Sequence, residues 1–336
     1  MAVIRGDGIG PEVVQATLQV LQALENKFSL SFDFEHVEAG DGAKTKFGVA
    51  LPEKSYETIS SSNACLKGPV GESGKQVIIA LRQRLNLYAN IRPAITLPNV
   101  PSIHRDVDLV VVRENTEGLY KGIEDKTSEY AFSVRVVTRE ASLRIAKVAY
   151  EMAMKRRRRV TVVHKSNVLS SCELFSECCL DVAKRYPEVQ TEQMYVDNAS
   201  YQLVKNPRRF DVIVTTNLFG DILSDEAAGV VGSLGLCPSM NLGDQFGLFE
   251  PVHGSAPDLP KGTANPLATM MSARLMLGWL AERHKDDALK QASETLWNAI
   301  IQTMGKRVFT ADLGGSSTTE QVTEAMIQEI STRSPN

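Results

Sequence analysis

The sequence predicts an α/β protein. Short apolar runs of strand character recur along the chain, segments with apolar residues at helical spacing alternate with them, and no run of about 18 apolar residues could span a membrane. The length of 336 residues suggests about two domains.

Met1–Ile4 reads as a strand. Pro11 to Leu24 reads as a helix, because Val13, Val14, Leu18 and Leu21 fall at helical spacing and Pro11 sits in the first turn, where a missing N–H costs nothing. Further strands are expected at Leu109–Val112, Phe132–Val137, Val160–Val163 and Val212–Val214. Further helices are expected at 74–86, 140–155, 173–185, 198–205, 220–229, 264–282, 286–303 and 318–330. In Phe132–Val136 apolar and polar residues alternate, which suits an antiparallel strand with one wet face. There is no internal repeat and no low-complexity linker.

Lys and Arg number 37 against 40 Asp and Glu, a net charge of -3, and a nucleic-acid binder needs a basic surplus to neutralise phosphates. The basic run Lys155–Arg159 reads as a solvated helix end rather than a nucleic-acid patch. The first residues lack a basic region followed by an apolar core, so a cytoplasmic location is expected. Five cysteines without a C-x-x-C spacing suit reduced thiols in that compartment, with a nucleophilic cysteine the weaker alternative.

Several constellations could carry chemistry. Gly6-Asp7-Gly8-Ile9-Gly10 lies between a strand and a helix, but its spacing is not that of a dinucleotide fingerprint, so a structural turn and a cofactor loop remain equal readings. Arg82, Arg92 and Arg113 could grip a di- or tricarboxylate, since each guanidinium offers two parallel donors to a carboxylate. Asp221 and Asp225 stand four apart, on one face of a helix; they would repel each other unless a divalent cation joined them, and oxygen ligands suit Mg²⁺ or Mn²⁺. An exposed acidic first turn is the plainer reading of the same pair. Lys165 after a strand and Tyr120 in an irregular segment are acid–base candidates if they meet.

In order, the segments GDGIGPE, LRQ…ANIRPA, VRENTEGLY, HKSNVL, YVDNA, NLFGDILSDEAAG and EPVHGSAPDLPKGTANP resemble the β-decarboxylating dehydrogenases: the isopropylmalate, isocitrate and homoisocitrate dehydrogenases. The resemblance runs from about residue 3 to 330 and is nearest to the archaeal-type isopropylmalate enzymes, which share LKGPVGES at 66–73. It implies a two-domain fold with a central mixed sheet, not a Rossmann fold. Residues 1–98 plus 236–336 would form the large, cofactor-side domain and 99–235 the small, dimerisation domain.

The resemblance also assigns roles. Arg82, Arg92 and Arg113 would bind substrate, Tyr120 and Lys165 would be catalytic, and Asp221 and Asp225 would hold the metal together with Asp197 of a second subunit. Lys165 would likewise act across a homodimer interface, with pairing of dimers into tetramers left open. The cofactor would lie along His253, Gly254, Ser255, Ala256, Asp258 and Asn265. Asp258 followed by Leu259 points to NAD, because a carboxylate accepts from ribose hydroxyls and repels a 2′-phosphate. Ile78 and Ile79 would offer an aliphatic wall that favours isopropylmalate. Lys75, Gln76 and Asn198 pull toward isocitrate or homoisocitrate; D-malate or tartrate, and a non-catalytic regulatory subunit, are the remaining alternatives.

Overall fold

The computed structural model describes residues 1–332. One ten-stranded sheet organises them, with strands β1 (Ala2–Ile4), β2 (Glu35–Val37), β3 (Cys65–Lys67), β4 (Ala89–Ile95) and β5 (Asp108–Glu114) from the first third of the chain. A separate hairpin pairs β6 (Glu124–Lys126) with β7 (Ala131–Ser133). The large sheet is completed by β8 (Arg159–His164), β9 (Gln190–Tyr195), β10 (Val212–Thr215), β11 (Pro238–Leu242) and β12 (Gly247–Pro251). Its order is β2-β1-β3-β12-β11-β4-β5-β10-β8-β9.

The wings β2-β1-β3-β12 and β5-β10-β8-β9 are parallel, and the centre β12-β11-β4-β5 is antiparallel. The sheet is therefore mixed, as expected, and not of Rossmann order. Strands from the two ends of the chain fill one wing and the middle of the chain fills the other.

The helices are α1 (Gly10–Phe28), α2 (Asp41–Phe47), α3 (Glu53–Ser61), α4 (Ala80–Arg84), α5 (Arg139–Met154), α6 (Ser170–Ala183), α7 (Val196–Lys205), α8 (Asn217–Val231), α9 (Leu267–His284), α10 (Asp287–Gly305) and α11 (Thr319–Thr332). Buried Val13, Val14, Leu21 and Leu24 show why α1 forms: its apolar stripe turns inward, with Leu21 and Leu24 in a cluster shared with α9, α10 and α11, each such side chain contributing about 1.5–3 kcal/mol.

Four apolar clusters flank the antiparallel centre, two on each face of the sheet. On the front, Ile4, Leu81 and Leu248 belong to one cluster, and Val111, Ile213 and Leu223 to the other. On the back, Leu66, Phe249 and Met276 belong to one, and Ile91, Val112 and Ile145 to the other. Between the clusters, each face has a seam.

Several expectations need correction. The helix expected at 74–86 is a π-helical turn over Lys75–Ile79 followed by the short α4. The strand expected at Phe132–Val137 shortens to β7; it is antiparallel, but it is wet on both faces in the single chain. Arg156 and Arg157 of the basic run are not merely solvated. Arg156 binds Asp211 at 2.8 Å and Asp108 at 2.8 Å, and Arg157 donates to the Phe210 carbonyl, so both clasp the starts of β5 and β10. All five cysteines are free and buried.

Candidate active site

The front seam is polar where the clusters on either side are apolar. Strand alternation explains which residues face it. Asn90 stands opposite Arg113 in β4–β5 and opposite Asn241 in β11–β4, so all three share a face with Arg92. Arg82 reaches the same face from α4, donating from Nε to Asn241 at 3.0 Å and from Nη2 to Glu250 at 3.3 Å.

Helix α8 closes the seam, and its sequence allows a close approach. A Cβ on Gly220 would stand 2.7 Å from the Cβ and Cγ of Arg113, so only glycine lets α8 lie this near β5. Asn217 Oδ1 then accepts from Arg113 at 3.1 and 2.7 Å, and Asp221 Oδ1 accepts from Arg113 Nη1 at 2.5 Å. Arg92 Nη1 reaches Ser224 at 2.9 Å, Asp221 at 3.1 Å and Asp225 at 3.2 Å. Tyr120 donates its hydroxyl to Asp221 Oδ2 at 2.9 Å.

The electrostatics split the two aspartates. Burial would raise Asp221, but Arg113, Arg92 and the Tyr120 hydroxyl outweigh it and hold its pKa below the usual value. Asp225 moves the other way, raised by burial and by the neighbouring Asp221 charge against the pull of Arg92. Tyr120 is raised by burial and then by Asp221, so its phenol keeps its proton. Burial, with Arg92 and Arg82 close by, pushes Arg113 down; Asp221 opposes that. The Nε of Arg92 is buried without a partner, a donor left over for an anionic ligand.

Lys165 and Asp197 are together but elsewhere. His164 and Tyr195 are paired at the ends of parallel β8 and β9, so the residues that follow emerge side by side. Lys165 Nζ meets Asp197 Oδ1 at 2.7 Å, and this hydrogen bond lowers the Asp197 pKa. Among the described residues no hydrogen bond or ion pair joins this pair to the arginine cluster, and no group of three His, Cys, Asp or Glu side chains converges on one point. A single chain thus offers Asp221 and Asp225 as hard oxygen donors on one helix face, and a divalent cation there would relieve their repulsion.

The segment after β12 carries the expected cofactor residues. Glycines 6 and 8 resolve as close-packing positions. A Cβ on Gly8 would stand 2.0 Å from the Ser255 carbonyl, and Ile9 donates to that carbonyl at 2.9 Å. Glu12 ties down the same segment, accepting from Gly262 at 2.9 Å and Ala264 at 3.1 Å. Asp258 is exposed, with no hydrogen bond or ion pair among the described residues. His253 Nε2 is buried without a partner, which suits a polar ligand. Asn265 is largely committed within the protein: its amide donates to Asp312 at 3.0 Å and its oxygen accepts from Leu267 at 3.0 Å at the start of α9.

Ile78 and Ile79 of the expected aliphatic wall are both half-buried, and Ile78 packs on the cluster of Val77, Leu81 and Leu87.

Five contributors escaped the sequence reading: Asn217, Ser224, Asn241, Lys67 and Glu250. Glu250 lies between Lys67 at 2.7 Å and Arg82 at 3.3 Å. Burial would raise its carboxyl, but Lys67 and Arg82 hold it down at about 2. All but Asn241 lie in a quoted segment; the available signal was a polar residue within an apolar strand, for Lys67, Asn241 and Glu250, or in the helix that carries the aspartates, for Asn217 and Ser224.

A model of the family described as "Isocitrate/isopropylmalate dehydrogenase" matches residues 1–330. The chain is 49% identical to a 3-isopropylmalate dehydrogenase of Saccharolobus solfataricus, over 94% of this chain and 95% of that one. It is 44% identical to an isocitrate/homoisocitrate dehydrogenase of Thermus thermophilus, over 98% of each. A solved structure of isocitrate dehydrogenase from Methylococcus capsulatus superimposes with a TM-score of 0.90 at 42% identity, covering 98% of each chain. Among the described residues no helix is long and apolar enough to cross a membrane. Mixed sheet, polar seam and full-length likeness agree: the chain belongs to the isocitrate/isopropylmalate dehydrogenase family of metal- and NAD(P)-dependent β-decarboxylating oxidoreductases, enzymes of small hydroxy acids.

Proposed function

We infer that this chain catalyses the NAD-dependent oxidative decarboxylation of 3-isopropylmalate, in sites shared between two copies. The observation that carries the reading is the convergence of Arg82, Arg92 and Arg113 on a seam with Tyr120 and two aspartates. Three guanidiniums suit a malate with two carboxylates, and positioning of this kind supplies several kcal/mol of a barrier, on the order of 7–11 at best.

Residues 1–98 with 236–336 would be one domain and 99–235 the other, meeting at the seam. Asp221 and Asp225, with Asp197 of a second copy, would hold Mg²⁺ or Mn²⁺, and the segment from His253 to Asp258 would hold NAD. When bound, these groups supply a Lewis acid for the oxygen on C2 and an acceptor for the C2 hydride. Lys165 takes the proton of the C2 hydroxyl, directly or through water. The C3 carboxylate leaves as CO₂, and Tyr120 delivers its phenolic proton to C3.

Exposed Val168 and Tyr195 near Lys165, Tyr201 and Val204 on the helix of Asp197, and Ile222 next to Asp221 in α8 support the shared site, since they leave apolar side chains in solvent on the elements that carry these groups. The incomplete ligand set of a single chain supports it as well. The half-exposed Ile79 and the free Asp258 support an aliphatic substrate and NAD respectively.

One spectrophotometric panel tests the reading. NADH formation is followed with isopropylmalate, isocitrate, homoisocitrate and D-malate, each with Mg²⁺ or Mn²⁺, and with NADP⁺ in place of NAD⁺. The highest kcat/KM is expected with isopropylmalate and NAD⁺. Preference for isocitrate would transfer the specificity to Lys75 or Gln76, and preference for NADP⁺ would refute the role given to Asp258.

A further inference from the structure

The back seam has a cavity of its own. The alternation that aims Asn90, Arg92 and Asn241 forward sends Ile91, Met240 and Leu242 to the opposite face, where they floor a space of about 440 Å³. Its walls come from α5 and α9, with Met152 on one side and Trp279 on the other. The two back clusters fail to merge here, since Met240 and Leu242 touch both of them. The volume falls within the usual range of small-ligand sites, about 300–1,000 Å³.

The charges on the wall are paired, with one exception. Lys155 and Glu282 bridge the rim at 2.8 Å, and Glu151 lies 3.7 Å from Lys147. Arg274 has no hydrogen bond or ion pair to its side chain among the described residues; Glu294 acts on it only from a distance. Its guanidinium lies over the ring of Trp297 at 4.8 Å, and its Nε is buried without a partner. A largely desolvated cation with unused donors, beside an apolar floor, is the complement of an anion with an apolar body.

We propose that this cavity is a second binding site, for a small aliphatic monocarboxylate whose carboxylate meets Arg274 and whose chain lies on Ile91, Met240, Leu242 and Trp279. The site is built on the reverse of the strands that carry the arginine cluster and touches α5 and α9 from opposite wings of the sheet. It does not rest on the dehydrogenase reading, because binding is read without turnover.

The chain has two tryptophans; Trp279 lines the cavity and Trp297 underlies Arg274, so intrinsic fluorescence reports on this site. The full chain is titrated with hexanoate and, separately, with 1-hexanol and hexylammonium. A saturable fluorescence change with hexanoate is expected, at least about tenfold weaker with hexanol, because the charged hydrogen bond is lost, and absent with hexylammonium. Arg274→Gln should weaken hexanoate by a similar factor, and Leu275→Phe, which fills the cavity with Arg274 in place, should abolish it. If Arg274→Gln does not fold, the alcohol comparison and Leu275→Phe still decide. No saturable change with hexanoate, equal binding of hexanol, or unaltered binding by Leu275→Phe would overturn the proposal.

Discussion

The two parts of the front site are built in opposite ways. Arg82, Arg92 and Arg113 are almost wholly buried, pinned by Asn241, Ser224, Asn217 and Asp221 before any ligand arrives. Lys165 and Asp197 stand at a strand edge, with Asp197 two-thirds exposed and each satisfied mainly by the other. On the proposed function, the grip on the substrate would be preformed within one chain, while the proton acceptor would await surroundings that a second copy provides. Preformed donors lose little freedom on binding; in the proposed shared site the open pair would gain its low-dielectric setting only on assembly.

The largest expected effect tests that division directly. Lys165→Met and Asp221→Asn should each lower kcat by about two to four decades, the range for acid–base and charge-stabilising groups. Co-expressed, the two variants should recover about a quarter of parental activity, since half of randomly paired dimers are mixed and each mixed dimer has one intact site. No recovery in isolated mixed dimers would mean that each chain carries a complete site, and the comparison would collapse.

The next effect bears on the preformed part alone. Glu250→Gln leaves Lys67 and Arg82 as buried cations without their counter-charge, which should cost about 3–5 kcal/mol of stability at neutral pH. The sign of the pH dependence follows from the depressed carboxyl. Folded Glu250 titrates at about 2 against an ordinary 4.5, so its stabilisation is complete above 4.5 and fades as the pH falls toward 2. Denaturant unfolding of the parent between those limits should weaken with acid, and the variant should lose that part of the slope. A variant with the parental slope would remove Glu250 from the framework.

Gly220→Ala should come third. Alanine favours a helix by roughly 1 kcal/mol, but its methyl would meet the stem of Arg113 at 2.7 Å, and Arg113 is fully buried. Overpacking of about 1–3 kcal/mol should win, with KM rising as Arg113 and Asp221 are pushed apart. An unchanged KM with raised stability would show that α8 can retreat from β5 without disturbing the grip.

How much of this was legible in the sequence differs between the same parts. The long amphipathic helices α1, α5 and α10 stood out because their apolar spacing is regular, and α9, buried on most sides, because it is apolar along most of its length. So did β5, β8 and β10, which are nearly continuous Val-rich runs. Strands β4, β11 and β12 did not, and they are the strands that build the site. Their runs, Ala-Asn-Ile-Arg-Pro-Ala-Ile, Pro-Ser-Met-Asn-Leu and Gly-Leu-Phe-Glu-Pro, read as loops because Asn90, Arg92, Ser239, Asn241 and Glu250 interrupt the apolar pattern. Those residues are buried because they are satisfied by one another across strands or, for Arg92 and Glu250, by α8, Lys67 and Arg82, pairings that local sequence cannot display. Family resemblance named the arginines and aspartates, but not the asparagines and Glu250 that hold them.

The smallest expected effect lies at the mouth of the seam, where Lys75 on the π-helical turn meets Glu124 of β6 at 2.8 Å. The distance matches that of the buried Lys67–Glu250 pair, yet the Lys75 and Glu124 side chains are 71% and 46% exposed. Water and salt screen such a pair, so Lys75→Met should change stability by less than about 1 kcal/mol, and still less as ionic strength rises. Thermal unfolding at low and high salt measures this. A loss comparable to that of Glu250→Gln would mean that the mouth is shut by a desolvated pair rather than an open one. The seam would then be closed by desolvated pairs on both sides, against the asymmetry between its buried arginines and the open Lys165–Asp197 pair.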